Sequence, residues 1–214
     1  MANLNTEDLL LEGVGLYYTK IKTPSKKFGT EDEYEFVVDA HVDKATAKTW
    51  NKEFPKQKAK ELDYDEFVEK FGAENAIGDE EQFFIRLKKP ATYKDKKDGQ
   101  IKAVSDKFRP RVFIDAGDGE LEDITFEKLV GNGSKGVIQY EVTKNDFGTF
   151  AKLFAIKVDE LVEVEQSGTG KFNVLGKVKS LAENPNAVKD KDEDVKVETP
   201  QENNDTEMDD NIPF

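Results

Sequence analysis

One segment of the chain alternates side chains in a way that suits both folding and binding. In Gln82–Lys89, strand periodicity separates two sets of residues. The apolar set on one face is Phe83, Ile85 and Leu87. The set on the other face is Phe84, Arg86 and Lys88. The first set predicts a core stripe, and the second places an aromatic ring beside two cations on the outer face.

A second segment, Arg109–Asp115, repeats this arrangement. Val112 and Ile114 point one way, and the residues that point the other way are Arg109, Arg111 and Phe113. Between Arg86 and Arg111 there are ten Lys/Arg against three Asp/Glu, a net charge of +7, in a chain of 214 residues whose net charge is −13. The local field here is therefore positive although the chain as a whole is acidic.

Cations that follow phosphates, interleaved with rings that stack on bases, are what binding to a single nucleic-acid strand without sequence preference requires. The rings predicted to stack are Phe84, Tyr93, Phe108 and Phe113. The cations predicted to contact phosphates are Arg86, Lys88, Lys94, Lys96, Lys107, Arg109 and Arg111. An earlier strand adds a common face made of Tyr18, Lys20 and Lys22. The alternative is that the lysines cover a solvated hairpin and that Phe84 or Phe113 packs on a helical insert.

Several kinds of catalytic and metal chemistry lack the residues they need. There is no cysteine and a single histidine, His41, which we place on a strand face. The stretch 131–136 fits G-x-G-x-x-G, but a strand-like run follows it where a dinucleotide site needs a helix, so we interpret it as a glycine-rich turn. No acidic pair is singled out as a catalytic dyad. We therefore expect no enzyme activity, no catalytic residue, no cofactor and no bound metal.

The C-terminal segment differs from the rest in composition. Residues 183–214 carry eleven Asp/Glu against three Lys, a net charge of −8, and few apolar residues, which predicts a disordered tail. Its last residues form an acidic and apolar tip, Asp209, Asp210, Ile212, Pro213 and Phe214. An apolar plug with a free carboxylate fits a pocket in which a basic residue holds the carboxylate, so we expect this tip to bind partner proteins.

The elements that must position these residues are mostly strands. Strand patterns cover 17–23, 34–42, 82–89, 109–115, 135–143 and 148–164, and helical spacing appears between about 44 and 72. This predicts a mostly β fold, an oligonucleotide-binding-fold barrel with a helical insert, over residues 1–182, although a β-sandwich would give a similar pattern. The N-terminus has neither a signal peptide nor a membrane span, so a cytoplasmic protein without membrane contact is expected.

The tip Asp209–Phe214 resembles the tail of bacterial single-stranded-DNA-binding proteins, which ends in acids followed by Ile-Pro-Phe. The body is similar to the single-stranded-DNA-binding proteins of tailed bacteriophages. The stretches that carry this second resemblance are 17–20, 34–42, 83–97, 131–135 and 150–164.

That resemblance implies an oligonucleotide-binding fold, binding without sequence preference, dimerisation and an annealing activity. It also implies a role in phage DNA replication, recombination and repair in the bacterial host cell, with a tail that contacts replication proteins such as DNA polymerase and helicase-primase. The Ile-Pro-Phe ending departs from the phage pattern of acids and one Phe. It leaves open whether phage replication proteins, host repair proteins or both read the tail.

Two other functions compete with single-strand binding. An acidic DNA mimic that blocks a host DNA-binding enzyme would explain the net charge but not the strand that carries Phe84, Arg86 and Lys88. A nuclease would need a cluster of metal-binding carboxylates, and the sequence presents none that is recognisable.

Overall fold

The computed structural model describes residues 3–5 and 8–164. Its strands are β1 (Asn3–Asn5), β2 (Leu10–Lys26), β3 (Tyr34–Val42), β4 (Lys60–Leu62), β5 (Gln82–Pro90), β6 (Thr92–Lys94), β7 (Ile101–Ala103), β8 (Arg111–Gly117), β9 (Glu120–Asp123), β10 (Ser134–Asn145) and β11 (Gly148–Glu160). The two α-helices are α1 (Lys44–Glu53) and α2 (Tyr64–Phe71), and short 3-10 turns cover Ala73–Asn75 and Asp106–Phe108.

One curved sheet contains most of the strands. Its order is β4-β5-β3-β2-β10-β11-β8-β9, with β1 paired to the start of β2. All of its neighbours are antiparallel except β11 and β8. β11 also approaches β5, the strand near the other end of the path, so the sheet curls into a partly open barrel. The long strands β2, β3, β5, β10 and β11 thus form an oligonucleotide-binding-fold barrel.

Irregular pairing bends the strands that close the barrel. β10 changes register at Gly136 against both β2 and β11, and a Cβ at Gly136 would collide with the Lys157 carbonyl oxygen. Only glycine allows the two backbones to approach this closely. β2 changes register between Tyr17 and Lys20 and again before Ser25. Such bulges increase local twist and curvature, which lets a 17-residue strand contact three partners.

The inner face of the sheet forms the main core. The alternating residues of β3 and β5 that are fully buried there are Phe36, Val38, Ala40, Val42, Ile85 and Leu87. Trp50 and Phe54 of the α1 segment close one end of the barrel against Tyr140, and the Trp50 indole N–H donates to the Gln57 carbonyl oxygen at 2.7 Å. The predicted core stripe on β5 is confirmed by this packing, with Phe83 partly buried against the same core.

The insert between β3 and β5 has well-defined helix ends. Asp43 caps α1 by accepting the Thr46 N–H at 2.8 Å, and Asp63 caps α2 by accepting the Asp65 N–H at 2.9 Å. Gly72, at φ 86°, ends α2. The helix α2 lies on the outer face of the sheet, where Phe67 is buried against Tyr17 and Phe84.

The predicted mostly β class with a helical insert is confirmed. The strand bounds agree closely for β3 and β5, while β2 begins seven residues earlier than predicted. The glycine-rich stretch 131–136 leads into β10, as the turn interpretation requires. The proposed domain end at residue 182, the tail 183–214 and the tip Asp209–Phe214 lie outside the described residues.

Candidate nucleic-acid interface

The outer faces of β2, β3 and β5 form one continuous surface, which we call the strand face. Backbone register places Lys20 of β2 opposite Val37 of β3, and Val37 opposite Lys88 of β5. Two residues further along β3, Asp39 lies opposite Arg86. Directly paired residues point to the same side of a sheet, so three predicted cations share this face, as the alternation pattern indicated.

The prediction that Phe84 is an exposed stacking ring is wrong. Phe84 is only 7% exposed and lies under α2, where its ring meets Tyr17 at 5.5 Å and Phe67 at 6.0 Å. The alternation assigned Phe84 correctly to the outer face, but α2 covers that part of the face. The competing interpretation, in which Phe84 packs on the helical insert, is the one that the structure bears out.

His41 belongs to the same covered cluster. Its ring stacks against both Phe67 and Phe84, with 4.8 and 4.9 Å between ring centroids, and its Nε2 is 2.8 Å from the Gln82 amide oxygen. Burial lowers the pKa of His41 to about 4, against the opposing effect of the Gln82 hydrogen bond. A neutral imidazole therefore helps to hold α2 on the sheet at neutral pH.

The strand-face cations Arg86 and Lys88 are already paired with carboxylates. Arg86 makes two charge-assisted hydrogen bonds to Asp39, and Lys88 Nζ lies 3.1 Å from Glu35 Oε2. Both cations remain partly exposed, so a phosphate can still approach them. Their charge is nevertheless largely offset by the two acids, so they are not the unpaired phosphate contacts that the alternation pattern indicated.

Arg109 and Arg111, predicted as phosphate contacts, have structural roles in the described chain. Arg109 Nη1 donates to the carbonyl oxygens of Ile21 and Lys22 at 3.2 and 3.0 Å, and its guanidinium lies over the rings of both Phe36 and Phe126. Arg111 pairs with Asp123 at 3.4 Å and also lies over Phe126. Each arginine is thus held by several protein groups, and Arg109 in particular is mostly buried.

The other residues predicted to contact DNA from β2 and β8 differ in exposure. Phe113 is half-buried on β8, where its backbone lies opposite Lys157 of β11 and Asp123 of β9. It is therefore not an open stacking platform. Lys22 is half-buried and its Nζ donates to the Glu127 carbonyl oxygen at 3.1 Å. Lys20 is exposed on the strand face.

A second surface, which we call the loop end, lies where β2, β3 and β5 meet the β6–β7 hairpin. Backbone hydrogen bonds from Ala91 to Tyr34 at 2.8 Å and from Val104 to Ala91 at 2.9 Å tie these segments together. The Tyr34 N–H also donates to Thr92 Oγ1 at 2.9 Å. Pairing of Lys26 with Tyr34 brings the β2–β3 loop to the same end.

The loop end contains the exposed part of the predicted site. Its exposed rings include Tyr93 at 50% and Phe108 at 65%. Its exposed lysines, with no ion pair or side-chain hydrogen bond within residues 8–164, are Lys94, Lys96, Lys97 and Lys107. Lys102 is the exception, because it is held by Asp95 and Asp98 at 2.5 and 2.7 Å. The predicted Tyr93, Lys94, Lys96, Lys107 and Phe108 are thus brought to one end of the barrel.

The structure adds a residue that pattern reasoning missed. Phe28, at the tip of the β2–β3 loop, is fully exposed and stands beside Lys26 and Lys27. Lys27 is paired with Glu33, whereas Lys26 is exposed. A phenylalanine that follows two lysines in a turn, where it cannot belong to a core stripe, was the available signal.

Tyr18 lies where the strand face meets the helical insert. It is 45% exposed, and its ring meets the edge of Phe71 at the end of α2, with 5.8 Å between ring centroids. Its backbone adopts φ 47°, uncommon for a residue other than glycine. The predicted exposure of Tyr18 agrees with this position.

Neither a metal centre nor a membrane-spanning helix is present in the described part of the chain. No three His, Asp or Glu side chains within it are grouped closely enough to hold a metal ion. Its helices are also too short and polar to cross a membrane.

No protein-family profile matches the chain, and no curated protein sequence matches it either. Several solved structures are similar to it, and three of them are described below. The single-stranded DNA binding protein gp2.5 of bacteriophage T7 is 16% identical, with a TM-score of 0.40 over 74% of this chain and 92% of that one. The C-terminally truncated single-stranded DNA-binding protein of bacteriophage Enc34 is 15% identical, with a TM-score of 0.40 over 76% and 91%. The Enc34 protein in complex with ssDNA is 16% identical, with a TM-score of 0.41 over 77% and 93%.

Proposed function

We propose that this chain binds single-stranded DNA without sequence preference and protects it during phage DNA replication, recombination and repair. The observation that carries the proposal is the loop end, where lysines that have no ion pair within residues 8–164 lie beside exposed rings on hydrogen-bonded segments. Exposed lysines attract phosphates, and exposed rings stack on any base, so the pair of features favours single strands over a paired duplex.

The strand face would extend this surface in a second direction. Lys20 is exposed there, and the partly exposed Arg86 and Lys88 keep hydrogen-bond donors that their carboxylate partners do not use. A DNA strand that runs from the loop end across β5, β3 and β2 would contact Tyr93 or Phe108 first and Tyr18 last. Such a path follows the binding face that is usual for this fold.

The test is a titration of fluorescently labelled oligo(dT) followed by anisotropy, because Trp50 is fully buried in the core and is a poor reporter of the surface. The double variant Tyr93→Ala/Phe108→Ala should weaken binding by about 2–6 kcal/mol if each ring stacks on one base. The matched control is Phe147→Ala, which removes an exposed ring in the β10–β11 hairpin, a hairpin that packs against the Lys56–Gln57 segment.

The outcomes separate the rival functions. Binding by the parent chain that survives in Phe147→Ala but not in the double variant supports the proposal. No binding to any oligonucleotide would favour the acidic DNA mimic, and shortening of the oligonucleotide only with magnesium would favour a nuclease. Equal losses in the control and the double variant would place the DNA elsewhere.

We also propose that the acidic C-terminal tail recruits replication proteins, such as DNA polymerase and helicase-primase, and host repair proteins. Support comes from the sequence alone: a net charge of −8 over 183–214 and the plug Ile212, Pro213 and Phe214. Removal of 183–214 should tighten DNA binding, most clearly at low salt, because a tethered acidic segment competes with DNA. Deletion of Phe214 alone should leave DNA affinity unchanged and abolish partner capture; if it changes DNA affinity as much as full truncation, the recruitment role is refuted.

The resemblance to phage proteins further supports the proposals that the chain forms a homodimer and acts in the cytoplasm of the bacterial host. Sedimentation equilibrium of the full chain measures its oligomeric state directly. A mass equal to one chain over the whole micromolar range would refute the dimer while leaving the DNA-binding proposal intact.

A further inference from the structure

A pocket opens between α2 and the strand face. Its walls are the rings of Tyr18, Phe71 and Phe84 together with Leu62, and polar groups of Asp39 and Lys60 border it. Phe84 forms the buried side of the pocket, while Tyr18 stands at its mouth, half-exposed. The pocket volume, about 170 Å³, provides room for one planar ring system.

The backbone at the mouth is held in an unusual conformation. Tyr18 lies at a register shift of β2, in the left-handed region, and its N–H donates to Asn132 Oδ1 at 2.8 Å across 114 residues of sequence. Asn132 belongs to the glycine-rich turn that precedes β10. Side chains other than glycine persist at such φ values only where surrounding contacts impose them, and these positions are concentrated at ligand sites.

The polar groups around the pocket are suited to the edge of a base. Asp39 has a largely buried carboxylate, and although both of its oxygens accept from Arg86, each retains a lone pair. Each DNA base has at least one N–H on its pairing edge, which can donate to such an oxygen. Lys60 is exposed at the rim, while Lys70, which also lines the pocket, is paired with Glu66.

From this geometry we infer that the pocket receives one unstacked nucleobase of the bound DNA strand, with its ring against Tyr18 and Phe71 and its pairing edge towards Asp39. The inference rests on the proposed binding of single-stranded DNA and adds to it a specific base site. The loop end then holds the strand by phosphates and stacking, and the pocket anchors a single nucleotide where the strand reaches α2.

Photocrosslinking locates the base. Oligo(dT) that carries 5-iododeoxyuridine is bound to the full chain and irradiated, and the modified peptides are identified by mass spectrometry. The expected adducts are on Tyr18 or Phe71. Adducts confined to residues outside the pocket would overturn the inference.

A blocking experiment tests the same site independently. The chain has no cysteine, so Lys60→Cys supplies one thiol at the rim, which a bulky maleimide then occupies. Labelling should weaken oligo(dT) binding by about 5- to 150-fold, the factor that corresponds to the loss of one stacked base. The control is Lys52→Cys with the same label, at the exposed last turn of α1.

The results distinguish the inference from the function on which it rests. If the labelled Lys60→Cys chain binds as tightly as the labelled control, the base pocket is refuted while single-strand binding stands. If the unmodified chain does not bind oligo(dT) at all, the proposed function is refuted and the base pocket with it.

Discussion

Asp39 of β3 and Arg86 of β5 face each other and form a bidentate ion pair, with 2.7 Å between Oδ1 and Nε and 2.6 Å between Oδ2 and Nη2. The carboxylate is largely buried and the guanidinium is partly exposed. Breaking the pair is therefore unfavourable mainly because the Asp39 carboxylate would remain in a poorly hydrated position without its main partner.

Arg86→Ala should lower the free energy of unfolding by about 1–3 kcal/mol, the range for a buried polar group left unsatisfied. Urea denaturation followed by circular dichroism measures it. Lys88→Ala is the matched control on the same strand, since its more exposed pair with Glu35 should contribute about 0–1 kcal/mol. Equal stability of Arg86→Ala and the parent would show that water replaces the guanidinium without cost.

Phe84→Ala should destabilise the fold rather than act on DNA binding alone. Its ring is buried between α2 and the sheet, and removal of a buried phenylalanine typically costs about 3–5 kcal/mol. Phe108→Ala removes an exposed ring and should leave the melting temperature unchanged while it weakens DNA binding. A Phe84→Ala variant as stable as the parent would mean that α2 does not cover this face in solution.

Stability should fall as the pH is lowered through the range below the ordinary pKa of histidine. Burial holds the pKa of His41 at about 4 in the folded chain, against about 6.5 when unfolded. The unfolded chain therefore binds the proton more readily between these values, so the contribution of neutral His41 is complete above pH 6.5 and decreases towards pH 4.

At pH 5.5 the loss from this histidine alone should be about 1.4 kcal/mol relative to pH 7.5. Urea denaturation at both pH values measures it. In the His41→Gln variant, the change in the free energy of unfolding between these pH values should be smaller by that amount, because the chain has no other histidine. The same pH dependence in both proteins would contradict the buried, neutral state of His41.

DNA affinity should depend steeply on salt, and the loop-end lysines should account for much of the slope. For single strands the log–log slope is about −0.7 per phosphate contact, so Lys94→Ala, Lys96→Ala and Lys107→Ala should each reduce its magnitude by about 0.7. Titrations between 50 mM and 200 mM salt, a range in which such slopes are measured, provide the comparison. Lys52→Ala, on α1, should leave the slope unchanged, and loop-end variants with the parent slope would exclude this surface.

Sequence alternation was sufficient to find β3 and β5 and to sort their side chains into two faces, because a period of two follows directly from strand geometry. It could not show what covers the outer face. The apolar residues Phe67 and Phe71 mark α2 as amphipathic, yet nothing local indicates that they pack on Phe84 rather than elsewhere.

The ion pair between Asp39 and Arg86 could not be predicted from the sequence for a similar reason. Asp39 and Arg86 are 47 residues apart, so their pairing depends on the register between β3 and β5, which a single sequence does not specify. The same limit applies to Lys102, whose pairing with Asp95 and Asp98 within the hairpin the charge pattern did not indicate. Phe28 was missed because a single ring in a turn has no periodic context.

The pairing of β2 with both β3 and β10 sets how this domain can fold. β2 and β3 are neighbours in sequence, but β10 begins more than a hundred residues after β2 starts, and the Tyr18–Asn132 hydrogen bond spans 114 residues. Chains dominated by such distant contacts have high contact order and fold on a scale of milliseconds to seconds. During synthesis, the edge of β2 that β10 will cover must remain unpaired until most of the domain has left the ribosome. That interval is when the chain is most open to wrong strand pairing and to capture by chaperones.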